Sequence, residues 1–363
     1  MSPAHDLYTL IETVGAVADA GRPAALATIT ATRGATFRRA GARMLVHAGG
    51  RVVCELSGGC PQRDIVQRAL RAIASGHPEL ARYNAESGLD VLMEMGCGGE
   101  LDVLIEPLAD ARAAAFFGAL ARSLERRRDA IAATLFALGG EVVPPRRALW
   151  CDGAWCFDDL GDAALLDAIE RAAASDNTLR AVTLRLTASD AEADVLIERI
   201  EPPHALFAFG SGATARALLS VGGALGWRPT LVDSDPARLH AVDLPQGERA
   251  LHATPHTLRD VITFDRYSSA VAATHNLAQD IAWLGALHDA PIAYLGAIGS
   301  RERASRMMQD LSPPIANLHV PAGLDIGSET PQEIALAIAA EIIAVLNGRS
   351  GGILRDGDGA LHP

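Results

Sequence analysis

Apolar and polar positions follow two different rhythms along this chain. Residues 6–20 put Leu7, Leu10, Ile11, Val14 and Val17 on one face of a helix, which Gly21 and Pro23 close. Residues 25–32 suit a strand, and 43–46 with 51–55 suit a hairpin turning through Gly49-Gly50. Pro61 fits the first position of a helix running on to residue 74. Short strands are expected at 83–84, 91–94 and 101–106. A helix over 109–128 should end on Arg126-Arg127-Arg128. Strands at 131–137, 148–150 and 180–186, a helix at 162–174 and a strand at 195–201 lead to Pro202-Pro203, a linker. Beyond it, strands and helices take turns. Strands are expected at 205–209, 230–232, 269–274 and 291–295, and helices at 213–225 and 277–288. A final helix opens on the capping box Thr330-Pro331-Gln332-Glu333 and stops at Gly348. The pattern predicts an α/β protein with an N-terminal α+β domain over 1–201 and a Rossmann-like parallel-sheet domain over 204–348. The glycine-rich tail 349–363 reads as disordered, and no internal repeat stands out.

The second rhythm starts on a recognisable unit. An apolar strand at 205–209 runs into Gly210-Ser211-Gly212-Ala213-Thr214-Ala215, then a helix, then a strand ending on Asp233. This is the G-x-G-x-x-A form of the dinucleotide fingerprint. Gly210 permits the tight turn, Gly212 lets a pyrophosphate approach the backbone, and Ala215 lets helix and strand pack closely. The amides and dipole at the helix start favour a phosphate. Asp233 would accept hydrogen bonds from a ribose diol, which predicts a preference for an unphosphorylated ribose. The bland alternative is a tight turn in a Rossmann-like sheet that binds nothing. Loops at the ends of later strands add candidates, because open parallel sheets bind ligands there. These are His275, after the strand at 269–274, and Ser300 and Arg301 in the loop after 291–295.

Composition narrows the field. The chain has 363 residues and a net charge of −12, which argues against nucleic acid or an anionic membrane as partner. All 32 strong bases are arginine. The absence of lysine excludes Schiff-base and P-loop chemistry, while arginine clamps phosphate and carboxylate well. No apolar run crosses a membrane's thickness without a charge, Arg216 and Glu341 interrupting the best ones. Five cysteines make no disulfide framework, so reduced thiols and a cytoplasmic place are expected.

Against this acidic background, residues 21–53 carry Arg22, Arg33, Arg38, Arg39, Arg43 and Arg51 and no acid. They are either a solvated face or an anion site; the glycines around 33–41 would let backbone amides share an anion. Two cysteines sit in glycine-rich turns, Ser57-Gly58-Gly59-Cys60 and Gly96-Cys97-Gly98-Gly99. Cys60 is expected at a helix N-cap, where the dipole lowers a thiol's pKa. A buried structural cysteine is the plainer reading. For Cys97 three neighbouring glycines argue for close approach of a ligand, since they add no core volume. Cys151 and Cys156, in a Trp- and Asp-rich turn, read as structural or incidental.

Several of these motifs together resemble the XdhC/CoxI family. They are Arg38-Arg39-Ala40-Gly41-Ala42-Arg43-Met44, the two cysteine turns, the Gly210 fingerprint, Ala273-Thr274-His275, residues 295–303 and Gly323-Leu324-Asp325-Ile326-Gly327-Ser328-Glu329-Thr330-Pro331. The resemblance covers nearly the whole chain. It implies a cytoplasmic homodimer that binds molybdenum cofactor (molybdopterin), supports its sulfuration and inserts it into an apo molybdenum hydroxylase of the xanthine or CO dehydrogenase type. A cysteine desulfurase is a further implied partner. By motif match, Cys60 and Cys97 are the reacting or metal-ligating thiols, with Arg38, Arg39 and Arg43 beside them. Soft sulfur suits molybdenum and guanidinium suits the pterin phosphate. The chain departs from the family pattern at Pro61-Gln62, at Ala213 where a His is usual, and at Asn276 where an Asp is usual. The fingerprint by itself supports a different reading, an NAD(P)-dependent oxidoreductase with His275 as its acid–base group.

Overall fold

The structure, a computed structural model, describes residues 4–34, 36–56, 59–84, 99–176, 180–188, 191–244, 248–315 and 317–356, with backbone alone at 4, 5, 59 and 60. The chain divides into two compact units, Met1–Pro202 and Pro203–Pro363.

The first unit contains a repeat that the apolar pattern did not reveal. Helix α1 (Ala4–Asp19), strands β1 (Ala24–Arg33), β2 (Arg43–His47) and β3 (Val52–Val53), helix α2 (Gly59–Ser75) and strands β4 (Glu79–Tyr83) and β5 (Glu100–Pro107) form one copy. Helix α3 (Ala111–Glu125), strands β6 (Ala130–Leu138), β7 (Glu141–Cys151) and β8 (Ala154–Asp158), helix α4 (Ala163–Ser175) and strands β9 (Ala181–Thr187) and β10 (Glu192–Ile200) form the other. The sheets have matching orders, β3-β2-β1-β5-β4 and β8-β7-β6-β10-β9. The correspondence holds residue by residue. α1 and α3 end at Asp19 and Glu125, and β1 and β6 begin at Ala24 and Ala130, each pair 106 positions apart. Gly21 (φ 57) and Arg127 (φ 56), also 106 apart, make the same left-handed step between helix and strand. β5 opens Glu-Leu-Asp-Val-Leu-Ile-Glu and β10 opens Glu-Ala-Asp-Val-Leu-Ile-Glu, so six of seven residues are identical.

Strand alternation explains how the copies pack. In β1, Ala25, Ala27 and Ile29 face α2, while Ala24 and Leu26 face the second copy. Between the copies, Leu7, Leu10 and Val14 of α1 bury against Phe116, Phe117 and Leu120 of α3, with Leu45 and Leu149 from the sheets. Burying a side chain of this size stabilises by about 1.5–3 kcal/mol. Two ion pairs cross between the copies reciprocally: Arg43 with Glu198, and Arg147 with Glu106. Arg43 pairs in register with Thr28 and Arg147 with Thr134, whereas Glu106 faces Leu26 and Glu198 faces Ala132. The two pairs are therefore images of each other under the internal symmetry.

The β7–β8 hairpin, read from sequence as a Trp- and Asp-rich turn, corrects the expectation of reduced thiols throughout. Its register places Trp150 opposite Trp155 and brings Cys151 to Cys156, Cα atoms 5.8 Å apart, where they form a disulfide.

The second unit has one six-stranded sheet, ordered β13-β12-β11-β14-β15-β16. Its strands are β11 (Ala205–Phe209), β12 (Arg228–Asp233), β13 (Arg249–His252), β14 (Ser268–Ala272), β15 (Tyr294–Ala297) and β16 (Leu318–His319), and all pairs are parallel. Four main helices cover it: α5 (Ala213–Ala224), α8 (Leu277–Ala286), α9 (Arg301–Asp310) and α10 (Pro331–Leu346), with short α6 (Pro236–His240) and α7 (Leu258–Val261) between. Phe207 and Phe209 point to the α8 side, where Phe209 stacks on Trp283; Leu206 and Ala208 point to the α5 and α10 side. The capping box at Thr330 and Glu333 forms as the sequence requires. Mixed α/β architecture with a Rossmann-like parallel sheet is thus the fold. Among the described residues, no helix is long and apolar enough to cross a membrane.

Candidate functional site

Topology anchors at one end of the first sheet the segments that carry Arg38, Arg39, Cys60 and Cys97. β1 ends at Arg33, paired with Glu100 at the start of β5. β4 ends at Tyr83, opposite Leu101. β3 is antiparallel to β2, so it too ends on this side. The connections 34–42, 54–58 and 84–99 therefore all leave from the same end. The first bears Arg38 and Arg39. The second leads into α2, which begins at Gly59 and so places Cys60 in its first turn rather than at the cap. The third contains Cys97. Cys97, the strand expected at 91–94 and the side chain of Cys60 lie outside the described residues.

The second copy shows what is special here. α2 and α4 match from their C-terminal ends, Ser75 with Ser175, Ala69 with Ile169 and Ile65 with Leu165, all four of the last buried. α2 then extends one turn further at its start, and Cys60 stands in that turn. β4 and β5 are joined by residues 84–99, where β9 and β10 are joined by 188–191 alone. Both cysteines thus occupy segments that the first copy has and the second lacks.

Electrostatics at this end centres on Asp6 in the first turn of α1. Its carboxylate meets Arg38 at 2.8 Å, and its carbonyl oxygen accepts the Cys54 thiol at 3.5 Å. Burial, reinforced by Asp6 and opposed by Arg38, pushes the Cys54 thiol up to about 11. Neither Asp6 nor Cys54 was singled out in the sequence, where nothing local distinguishes them. Arg43 is 7% exposed; its guanidinium bonds the Glu198 carboxylate and the Gly41 carbonyl at 2.9 Å. Among the described residues, no group of three His, Cys, Asp or Glu side chains could hold a metal ion.

In the second unit the order of strands reverses direction between β11 and β14, the switch point where such sheets bind ligands. Gly210 lies there at φ 103, and a Cβ on it would sit 2.9 Å from the Ala273 oxygen and the Thr274 Cα. Only glycine fits that crossing. Beside Gly212, where a pyrophosphate would approach, a Cβ would meet His275 Nε2 at 3.1 Å. His275 itself is held at φ 61, exposed, with its imidazole edge over the first turn of α5. Asp280, fully buried, fixes that loop: it accepts the Thr274 amide at 3.0 Å and hydroxyl at 2.6 Å, and Arg303 at 2.5 Å. An acid inside the apolar segment 277–288 was the available signal for it. Ser300 caps α9 by accepting the Arg303 amide, and Arg301 opens that helix, exposed. Asp233 is 4% exposed; one carboxylate oxygen takes the Asp235 amide at 3.0 Å, and the other, Oδ2, is buried without a partner. Such an orphan costs free energy unless something donates to it.

A model of the XdhC and CoxI family matches residues 17–84, and a model of the XdhC Rossmann domain matches residues 206–342. A probable xanthine dehydrogenase subunit of Bacillus subtilis (strain 168) is 30% identical over 322 residues, 88% of this chain and 92% of that protein. The chain belongs to the XdhC and CoxI family. Molybdenum cofactor insertion chaperone PaoD of Escherichia coli (strain K12) is 22% identical over 332 residues, 90% of this chain and 84% of that one. The crystal structure of a xanthine dehydrogenase from Bacillus halodurans superposes with a TM-score of 0.78 at 24% identity, covering 94% of this chain and 96% of the other, and so shares the fold. In family terms, the first model covers the arginine loop and the Cys60 turn, and the second covers the glycine turn, Asp233, His275 and Arg301.

Proposed function

We propose that this XdhC/CoxI-family protein serves the maturation of a molybdenum hydroxylase: it binds molybdenum cofactor as cargo, supports its sulfuration and inserts it into the apo-enzyme. The family and the names of its relatives support a maturation role. One observation carries the finer reading. The cysteine-bearing segments are additions to one copy of a duplicated fold, and both spring from the end that carries Arg38 and Arg39. A structural cysteine has no reason to favour the copy that departs from the shared framework; a binding site does. Cys60 and Cys97 would supply thiolates to molybdenum, and Arg38 and Arg39 would meet the pterin phosphate. Arg43 belongs to this site as a support, since both its Nη groups are engaged. The protein acts in the cytoplasm as a homodimer, its partners an apo-hydroxylase of xanthine or CO dehydrogenase type and a cysteine desulfurase.

Co-expression with the cofactor pathway tests this. The purified protein should retain pterin, detected by fluorescence after oxidation, and Cys60→Ala or Cys97→Ala should abolish retention and client activation. Absence of pterin from the wild type, or full client activity with Cys60→Ala, refutes the proposal.

A nucleotide site in the second unit is a separate reading, favoured by the orphaned Asp233 Oδ2 at the end of β12, beside the β11 strand that runs into the Gly210 turn. A ribose hydroxyl would satisfy that oxygen, and α5's first turn with His275 would meet the phosphates. Titration with NAD(H) and NADP(H) decides it: binding of the unphosphorylated form is expected, and binding of neither removes the reading, together with any oxidoreductase role for His275.

A further inference from the structure

The second copy carries none of the cysteine additions, yet it holds the foot of the arginine loop in the first. Residues 34–42 return to the sheet through Gly41 and Ala42, whose strand-side bonds are Gly41 N–H to the Ile29 oxygen (2.8 Å) and Ile29 N–H to the Ala42 oxygen (2.9 Å). Directly beneath lies Glu198 of β10, 4% exposed. It binds the Arg43 guanidinium through both carboxylate oxygens, and Arg43 in turn donates to the Gly41 carbonyl at 2.9 Å. Gly41, at φ 88, approaches so closely that a Cβ would lie 2.5 Å from Glu198 Oε1 and 3.5 Å from the Ala181 Cβ. Thr183 of β9 adds a bond to the Thr30 carbonyl at 2.7 Å.

The symmetry-related pair, Arg147 with Glu106, joins the same residue types at similar burial, through a single bond from Arg147 Nη2 to Glu106 Oε1. Each arginine also lies near a ring of α3, Arg43 5.9 Å from Phe117 across the copies and Arg147 5.6 Å from Phe116 within its own copy. That pair lies beside Pro144-Pro145 within β7, and β6 and β7 are joined by Gly139-Gly140 alone, with no cysteine or arginine loop.

We propose that Glu198 is a positioning residue for the cargo site: through Arg43 and Gly41 it sets the path of residues 34–42, and hence of Arg38 and Arg39, whereas Glu106 does mechanically equivalent work where there is no site to position. The inference rests on the cofactor-binding reading of this end. It also gives a reason for the second copy, which acts as a built-in partner bracing the first.

The internal symmetry supplies the control. Glu198→Gln and Glu106→Gln, made in the full-length chain, each leave one buried arginine without its counter-charge, so thermal unfolding should drop by a similar amount in both. Retention of isolated molybdenum cofactor should fall by roughly tenfold or more in Glu198→Gln, the usual penalty for losing a supporting group behind a ligand, while Glu106→Gln stays close to wild type. Hydrogen exchange at the Gly41 and Ala42 amides should accelerate only in Glu198→Gln, a readout that needs no cofactor. Should either Gln variant fail to fold, Glu198→Asp and Glu106→Asp keep the charge, draw the carboxylate back by one methylene and are read in the same way. Equal effects of the two substitutions on cofactor retention and on exchange at 41–42 overturn the proposal. A wild type that holds no cofactor, with exchange still selectively raised in Glu198→Gln, instead overturns the reading of the site and leaves Glu198 as a brace for the loop.

Discussion

Replacing Gly41 by Ala tests the packing between the copies, and Gly21→Ala is its natural reference. Both glycines sit at positive φ, 88 and 57. Nothing lies within 4 Å of a Cβ on Gly21, whereas on Gly41 that atom would meet Glu198 Oε1 at 2.5 Å and Cδ at 3.3 Å. The Gly21 substitution therefore carries only the backbone cost of a left-handed L-residue, about 1 kcal/mol. Arg127, at the matching place of the second copy with φ 56, shows that a side chain is accommodated there. The Gly41 substitution carries the same backbone cost and also forces the carboxylate away from Arg43. Breaking a buried pair outright costs about 3–5 kcal/mol, and a partial retreat about half of that. The expected destabilisation is thus about 3 kcal/mol, against about 1 for Gly21→Ala. Pulse proteolysis across a urea series, reading peptides from Met1–Pro202 by mass spectrometry, measures this unit separately from the other. If the two variants agree to within about 0.5 kcal/mol, Glu198 is not held against Gly41 and the bracing argument falls.

Three further outcomes follow from individual sites. With its thiol pushed up to about 11, Cys54 should resist iodoacetamide at pH 8 in the native protein; rapid alkylation there, mapped by peptide mass, would contradict the burial and the Asp6 contact. Burial works to raise the pKa of Glu341, but bonds from Tyr294, the Gly323 amide and His319 outweigh it and hold the carboxyl below its ordinary range. Its stabilisation is therefore present above the unfolded carboxyl pKa of about 4.3 and lost as pH falls through the lower folded value. Wild type should exceed Glu341→Gln in stability at pH 7, with the gap closing in acid; a gap independent of pH down to full protonation refutes the assignment. Asp233→Ala should weaken NAD(H) binding by roughly tenfold or more by calorimetry, as a hydrogen bond to a charged group requires, and unchanged affinity would remove Asp233 from the ribose subsite.

Much of the architecture is legible in the chain itself, because helices and strands follow from the spacing of apolar positions and from caps and turns a few residues long. The Gly210 turn, the strand ending at Asp233 and the capping box at Thr330 all form where local sequence puts them. The glycine at 210 is required by a backbone crossing from β14, yet its identity already announced a turn. What local pattern does not contain is which distant segments meet. The likeness of residues 100–106 to 192–198 is printed in the sequence, but two seven-residue strands carry too little information to declare a duplicated domain until their sheets take matching orders. The disulfide of Cys151 and Cys156 needed the hairpin register. Arg43 looked like its neighbours Arg38 and Arg39, one more guanidinium in a basic stretch. Tertiary structure buried it against Glu198, 155 positions away, because desolvating a charge is tolerable only beside its counter-charge, and that partner is chosen by the fold rather than by the adjoining residues.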